Sequence, residues 1–280
     1  MTRFEIIFVA VLALIWVPGG LALAGVWGEV EYASHGFIVP FVALWTATAH
    51  RARLAQLESR PSRAGLLGLG LAVLFYLAAL TLKNASLIGL AAVASVSFSL
   101  LALRGMEWIR TLRFSLAYLL FMVPLPADWV TPLIVQLQLL VSSAAVSLLQ
   151  DAGVAIYREG NILSLPGGKH LFVAEACSGI TSLITLIPIG VVIAYFMEVR
   201  LARRLVVVAA VLPIALAGNL LRVLVTVLLA IRVDVEFVTA GPLHEWTGVG
   251  SYVIGCLVLL GVCALMRQFW PDPASVPEGP

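Results

Sequence analysis

The feature that most constrains this chain is a succession of apolar runs, fourteen to twenty-seven residues long, separated by short connections rich in arginine. At 1.5 Å per residue, about 20 apolar residues cross a hydrocarbon layer roughly 30 Å thick. Lipid cannot satisfy open backbone groups, and the runs lack the period-2 alternation of a membrane barrel, so they read as helices. Composition agrees: 61% of residues are hydrophobic and 11% charged, against about a quarter charged in soluble domains. The expected fold class is an all-α polytopic membrane protein with about eight transmembrane helices.

The expected spans are 4–26, 37–50, 64–82, 84–103, 112–125, 178–197, 205–231 and 250–267, with 37–50 extended into "ASHG". Arg3 ahead of an apolar stretch, with Ala22-Leu23-Ala24 following, has the outline of a signal peptide. The stretch from Ile6 to Val26 exceeds a signal's h-region and is kept as a span. A single integral-membrane domain is expected over 1–270, followed by a polar cytoplasmic tail, 271–280.

A further stretch, 130–150, decides the sidedness of everything after it. Cytoplasmic loops collect Lys and Arg. If 130–150 stays on the outer side, twelve arginines are cytoplasmic: Arg3, Arg51, Arg53, Arg60, Arg63, Arg104, Arg110, Arg113, Arg200, Arg203, Arg204 and Arg267. Only Lys83, Arg158, Lys169 and Arg232 then lie outside, with Arg222 inside a span. If it crosses, the Arg200–Arg204 cluster and Arg267 move outside and the rule is met less well. The non-crossing arrangement is therefore expected, with both termini cytoplasmic and the 130–177 region outside. Within that region, β-branched residues and the Pro166-Gly167-Gly168 break predict a short extracytoplasmic hairpin before the helix that follows. Trp27, Tyr32, Trp129 and Trp246 then fall near the outer interface, where amphipathic rings are favoured.

Net charge of +2 and the lack of a basic stripe argue against nucleic acid. Three cysteines make no disulfide framework. Cys256 and Cys263, seven apart on one apolar helix, are expected to pack rather than pair. Cys177 differs. In "EACSGI" it stands at the outer end of a span, where free N–H groups and the helix dipole lower a thiol's pKa. Asn219 and Arg222, three apart in "AGNLLRVLV", share one face of an otherwise apolar helix, and an intramembrane arginine marks a functional site by default. His244 in "GPLHEWTGVG" is the histidine of the outer loop before the last span, suited to moving protons near neutral pH. His35 in "YASHG" is also outside and is read as structural or substrate-positioning. His50 is cytoplasmic, and His170 lies in the hairpin.

Cysteine, arginine and histidine on three segments facing one side of the membrane fit cysteine acyl transfer. This chemistry requires no carboxylate to orient the base, although Glu175 or Glu245 is available to do so. No HExxH or CxxC spacing points to a metal, and no cofactor is expected. The rival reading is a transporter or a lipid- or anion-binding protein that uses Arg222 and Asn219, although no matching half-repeats are visible.

The pieces "SHG" at 34–36, "REGNILSLP" at 158–166, "EACSGI" at 175–180, "GNLLRV" at 218–223 and "HEWTG" at 244–248 resemble, in this order, the exosortase/archaeosortase family of membrane cysteine transpeptidases. The resemblance spans about residues 27 to 265. It implies Cys177 as nucleophile, Arg222 as electrostatic stabiliser and His244 as general acid/base. Asn219, Glu175, Ser178, Gly179 and His35 are placed in supporting or substrate-binding roles, Ser178-Gly179 as the small residues that let a substrate backbone approach the sulfur. It further implies exported substrates ending in a motif such as Pro-Glu-Pro, an apolar helix and a basic cluster. These would be cut at the outer face of the cell (inner) membrane and passed to a surface-polysaccharide or lipid acceptor. The chain's own "VPEGP" end follows the last span and is not read as such a signal.

Overall fold

The computed structural model describes residues 3–160, 162–172, 180–233, 235 and 242–270. The chain forms two compact units, Met1–Ala127 and Asp128–Pro280. In the first, α1 (Arg3–Glu29) leads through a 3-10 helix (Glu31–Phe37) to α2 (Val39–Thr48) and α3 (Arg51–Gln56). Next come α4 (Arg63–Thr81), α5 (Ala85–Arg104), α6 (Met106–Thr111), α7 (Arg113–Tyr118) and a 3-10 turn (Leu119–Met122). At the boundary begins α8 (Ala127–Asp151), and the second unit continues with β1 (Tyr157–Glu159), β2 (Ile162–Leu165) and β3 (Lys169–Phe172). Helices α9 (Ile180–Met197), α10 (Leu201–Arg232) and α11 (Pro242–Phe269) complete it.

Six described segments are long and apolar enough to cross a membrane: Glu5–Glu29, Arg63–Thr81, Ala85–Arg104, Ala127–Asp151, Leu201–Arg232 and Val249–Phe269. The runs at 37–50 and 112–125 are shorter helices, ten residues in α2 and a helix that tightens into a 3-10 turn at Leu119. The stretch 130–150, read in sequence as non-crossing, is a continuous 25-residue helix with the length and apolarity of a span. The non-crossing reading rested on the arginine count, which weighs the connections and not the helix between them. Gln138 and Ser142 are buried on the stripe that also carries Val130, Ile134, Val141, Ala145 and Leu149.

In the first unit, close approach of backbones replaces hydrophobic driving force, as expected within a bilayer. Helices α4 and α5 form a hairpin in which Gly65 lies so near Ala102 that a Cβ would stand 2.3 Å from its nitrogen. The connecting turn places Lys83 at φ 51°, and Asn84 caps α5 by accepting from the Leu87 N–H at 3.0 Å. Pro18 sits inside α1 and removes a backbone donor there. One residue on, the Tyr76 hydroxyl accepts from the Gly19 N–H (3.0 Å) and donates to the Ile15 carbonyl (2.9 Å), entering the helix ladder from α4.

The second unit is organised around α10. Antiparallel α9 and α11 pack on its first half through Leu186, Val207, Val211, Ala215, Leu259 and Cys263. Cys256 lies against the same cluster, and both cysteines are free. The later half of α10 buries Val223, Val227 and Ala230 against Val141, Ala145 and Leu149 of α8 and against the sheet residues Leu163, Leu165 and Leu171. The expected hairpin is a three-stranded antiparallel meander, β1-β2-β3. Gly160, at φ 58°, ends β1, and Gly167 and Gly168, at φ 85° and 75°, turn β2 into β3 with a backbone that side chains resist. Lys169 fastens the sheet to the end of α10, its Nζ donating to the carbonyls of Ala230 (3.4 Å) and Val233 (3.3 Å). A cation there also opposes the negative end of the helix dipole.

Candidate functional site

At one end of the α9–α10–α11 bundle lies a buried charge cluster. Glu198, in the turn between α9 and α10, forms an ion pair with Arg203, both side chains being almost fully enclosed. Arg267 of α11 reaches the same carboxylate at 3.7 Å but is half exposed. The surplus cations satisfy the last carbonyls of α9: Arg204 donates to Glu198 O (2.7 Å) and Tyr195 O (3.2 Å), and Arg267 to Met197 O. The C-terminal end of α9, the N-terminal end of α10 and the C-terminal end of α11 are thereby tied together.

Helix register then dictates what meets at the other end. Gly190 of α9 abuts Val211 of α10, and Leu186, one turn earlier, lines a small cavity with Ala215 and Asn219, one to two turns later. Gly255 of α11 faces Ile214, and Ser251 reaches the level of Gly218. Followed outward, the Ile180 start of α9 arrives near the level of Arg222, and α11 continues past that level to its start at Pro242. From Arg203 to Arg222 the rise is about 28 Å, roughly one hydrocarbon thickness.

Arg222 is 9% exposed and Asn219 2%, so the polar pair that the sequence singled out is buried. Arg222 lines a cavity of about 520 Å³ between α10 and α11, otherwise almost wholly apolar. Asn219 shares a small cavity with Ser251 and Tyr252 of α11, and the Tyr252 hydroxyl is hydrogen-bonded to Thr185 of α9. Sequence reading missed these three hydroxyls. Ser251 was within reach, since it follows His244 by seven residues and so shares its helix face. Thr185 and Tyr252 carry no comparable signal, because their meeting depends on how two spans cross.

The backbone of His244 belongs to the first turn of α11; its side chain is outside the described residues. Cys177, Glu175, Ser178 and Gly179 also lie outside them, Cys177 three residues ahead of Ile180. His35 belongs to the first unit and has a structural partner there. Its Nε2 is 2.9 Å from the Phe121 carbonyl, while Trp27 Nε1 donates to Met122 O at 3.0 Å, so both rings hold the 3-10 turn Leu119–Met122. Burial pushes the His35 pKa below its ordinary 6.5, with the hydrogen bond to Phe121 working the other way. His170 is exposed, its Nδ1 3.2 Å from Ser164 Oγ across β2 and β3. Among the described residues no three His, Cys, Asp or Glu side chains converge as a metal site would require.

Neither a curated protein nor a solved structure matches the chain. The family model described as transmembrane exosortase does, over residues 27–261, which takes in α2 to α10 and most of α11. A multi-pass helical architecture and a match over most of its length therefore make this chain a member of the transmembrane exosortase family.

Proposed function

We propose that this protein is a membrane-embedded cysteine peptidase and transpeptidase that cuts C-terminal sorting signals of exported proteins. Cys177 is the nucleophile, His244 the general acid/base and Arg222 the electrostatic stabiliser. The Cys177 thiolate attacks the scissile carbonyl, and the oxyanion forms against the Arg222 guanidinium. Collapse breaks the C–N bond, His244 delivers a proton to the departing amine, and a thioester remains. An acceptor nucleophile then gives its proton to His244 and displaces the sulfur; water in that place yields hydrolysis.

The observation that carries this reading is Arg222. A guanidinium held in an apolar span is costly unless the site uses it, and it lies in the outer half of α10, on the side of the bundle where α9 begins, three residues after Cys177, and where α11 begins with His244 in its first turn. Sidedness follows from charge. Arg200, Arg203, Arg204 and Arg267 gather at the opposite end, and the positive-inside tendency puts that end in the cytoplasm of a cell (inner) membrane. The end where α9 and α11 begin is then extracytoplasmic, in keeping with the arrangement in which 130–150 does not cross. The substrates are exported proteins with a motif, an apolar helix and a basic tail, and the acceptor is a surface polysaccharide or lipid.

The test is co-expression with an exported reporter ending in such a tail. Cys177→Ala should leave membrane insertion intact while uncleaved reporter accumulates, and mass spectrometry of the product from the parent identifies cleavage site and acceptor. Normal processing by Cys177→Ala would sink the proposal.

A further inference from the structure

The cavity beside Arg222 is open along the bundle, because large apolar side chains that flank it, Leu221 and Ile254 among them, are about half exposed. On α10 it runs from Pro213 to Val225, about 18 Å at 1.5 Å per residue. Gly218 stands on one wall and Gly250 on the other. Among the described residues packing demands neither glycine, since a Cβ built at either would meet nothing within 4 Å. Gly190 in the same bundle is the contrast, as a Cβ there would lie 2.5 Å from Val211. What sets Gly218 and Gly250 apart is their place on facing walls of one groove beside Arg222, where the lack of a side chain on both keeps the groove open. Acyl chains adapt to any apolar wall. Close approach of another helix backbone is what paired small residues permit.

We propose that this groove between α10 and α11 is the subsite for the membrane-spanning apolar helix of the processed protein. Gly218 and Gly250 admit its backbone, and Arg222 stands where that helix gives way to the scissile peptide. The electrostatics are complementary: one buried cation closes an apolar groove, matching an apolar body that ends in peptide carbonyls. This inference rests on the peptidase reading above and locates a part of the substrate that the chemistry itself does not touch. It makes Gly218 and Gly250 specificity-determining, because their size sets how closely a helix can lie.

The experiment uses the full chain in native membranes, with Cys177→Ala to retain substrate. The probe is an exported reporter with a sorting motif, an apolar helix of about 20 residues and a basic cluster. A photoreactive side chain at Ile254 or Val258, both lining the groove, should crosslink to the reporter's helix about tenfold more than one at Leu260, exposed on another face of α11. Gly218→Leu should reduce that crosslink about tenfold, and Gly218→Ala by less. Membrane insertion and detergent unfolding of each variant report its folding. Equal crosslinking at Leu260, adducts with lipid alone at Ile254, or indifference to Gly218→Leu would overturn the inference. Crosslinking at Ile254 of a reporter that the parent never cleaves would retain the groove and reject the peptidase, and cleavage without crosslinking would do the reverse.

Discussion

Glu198 offers two arginines one carboxylate, and the difference in their exposure predicts very different costs. Arg203 and Glu198 are enclosed, with side chains 1% and 0% exposed, whereas the Arg267 side chain is 49% exposed. Removing one partner of a buried pair leaves an uncompensated charge and costs about 3–5 kcal/mol. A half-exposed pair, screened by solvent, contributes about 1 kcal/mol or less. Glu198→Gln and Arg203→Gln should therefore each lower the unfolding free energy by roughly 3–5 kcal/mol, a large share of the 5–15 kcal/mol typical of a folded protein. Arg267→Gln, which also gives up its bond to the Met197 carbonyl, should cost about 1–2 kcal/mol. Replacing both enclosed groups, Glu198→Met with Arg203→Leu, removes charge and partner together and should recover most of the loss. Unfolding of the detergent-solubilised protein by added SDS, followed by tryptophan fluorescence, measures all four. If Arg267→Gln costs as much as Arg203→Gln, or if the double variant is as unstable as the single ones, burial is not what sets the strength of this cluster.

Arg222→Lys should lower the processing rate on the order of 100-fold or more while leaving insertion intact, because an ammonium cannot reproduce the planar fork; reporter cleavage in membranes measures it. Tyr76→Phe strips the hydroxyl that serves both Gly19 and Ile15 and should destabilise the protein by about 1–3 kcal/mol in the same unfolding assay. Burial holds the His35 pKa below 6.5, so the folded state binds fewer protons than the unfolded one in that window. Stability should accordingly be complete above about pH 6.5 and fall as the pH drops toward the depressed folded value, and His35→Gln should flatten this dependence in unfolding measured across pH.

Much of this was legible because a bilayer allows so few solutions. Apolar runs of crossing length had to become helices, and Gly167-Gly168 had to break the chain between strands. The Asn219–Arg222 spacing had to put both residues on one face of α10. What failed to show was of two kinds. The arginine count set 130–150 on the outer side, but a count of charges in connections says nothing of the packing that buries Gln138 and Ser142 on one stripe of a continuous helix. The hairpin became three strands because β1, a segment of three exposed residues, joins by backbone pairing along β2 and carries no apolar face that would announce it.

Sequence by itself determined that the long apolar runs become helices, which polar residues those helices carry, and in what order the motif residues occur, all of which follow from local length, polarity and helix period. Tertiary structure alone decided who meets whom. Gly65 and Gly218 are the same residue in similar apolar helices, yet one is wedged against the Ala102 backbone and the other faces open space. Arg203 and Arg267 both reach Glu198, and only one is sealed from solvent. Such differences arise from contacts between spans distant in sequence, where neither propensity nor periodicity says which faces will touch.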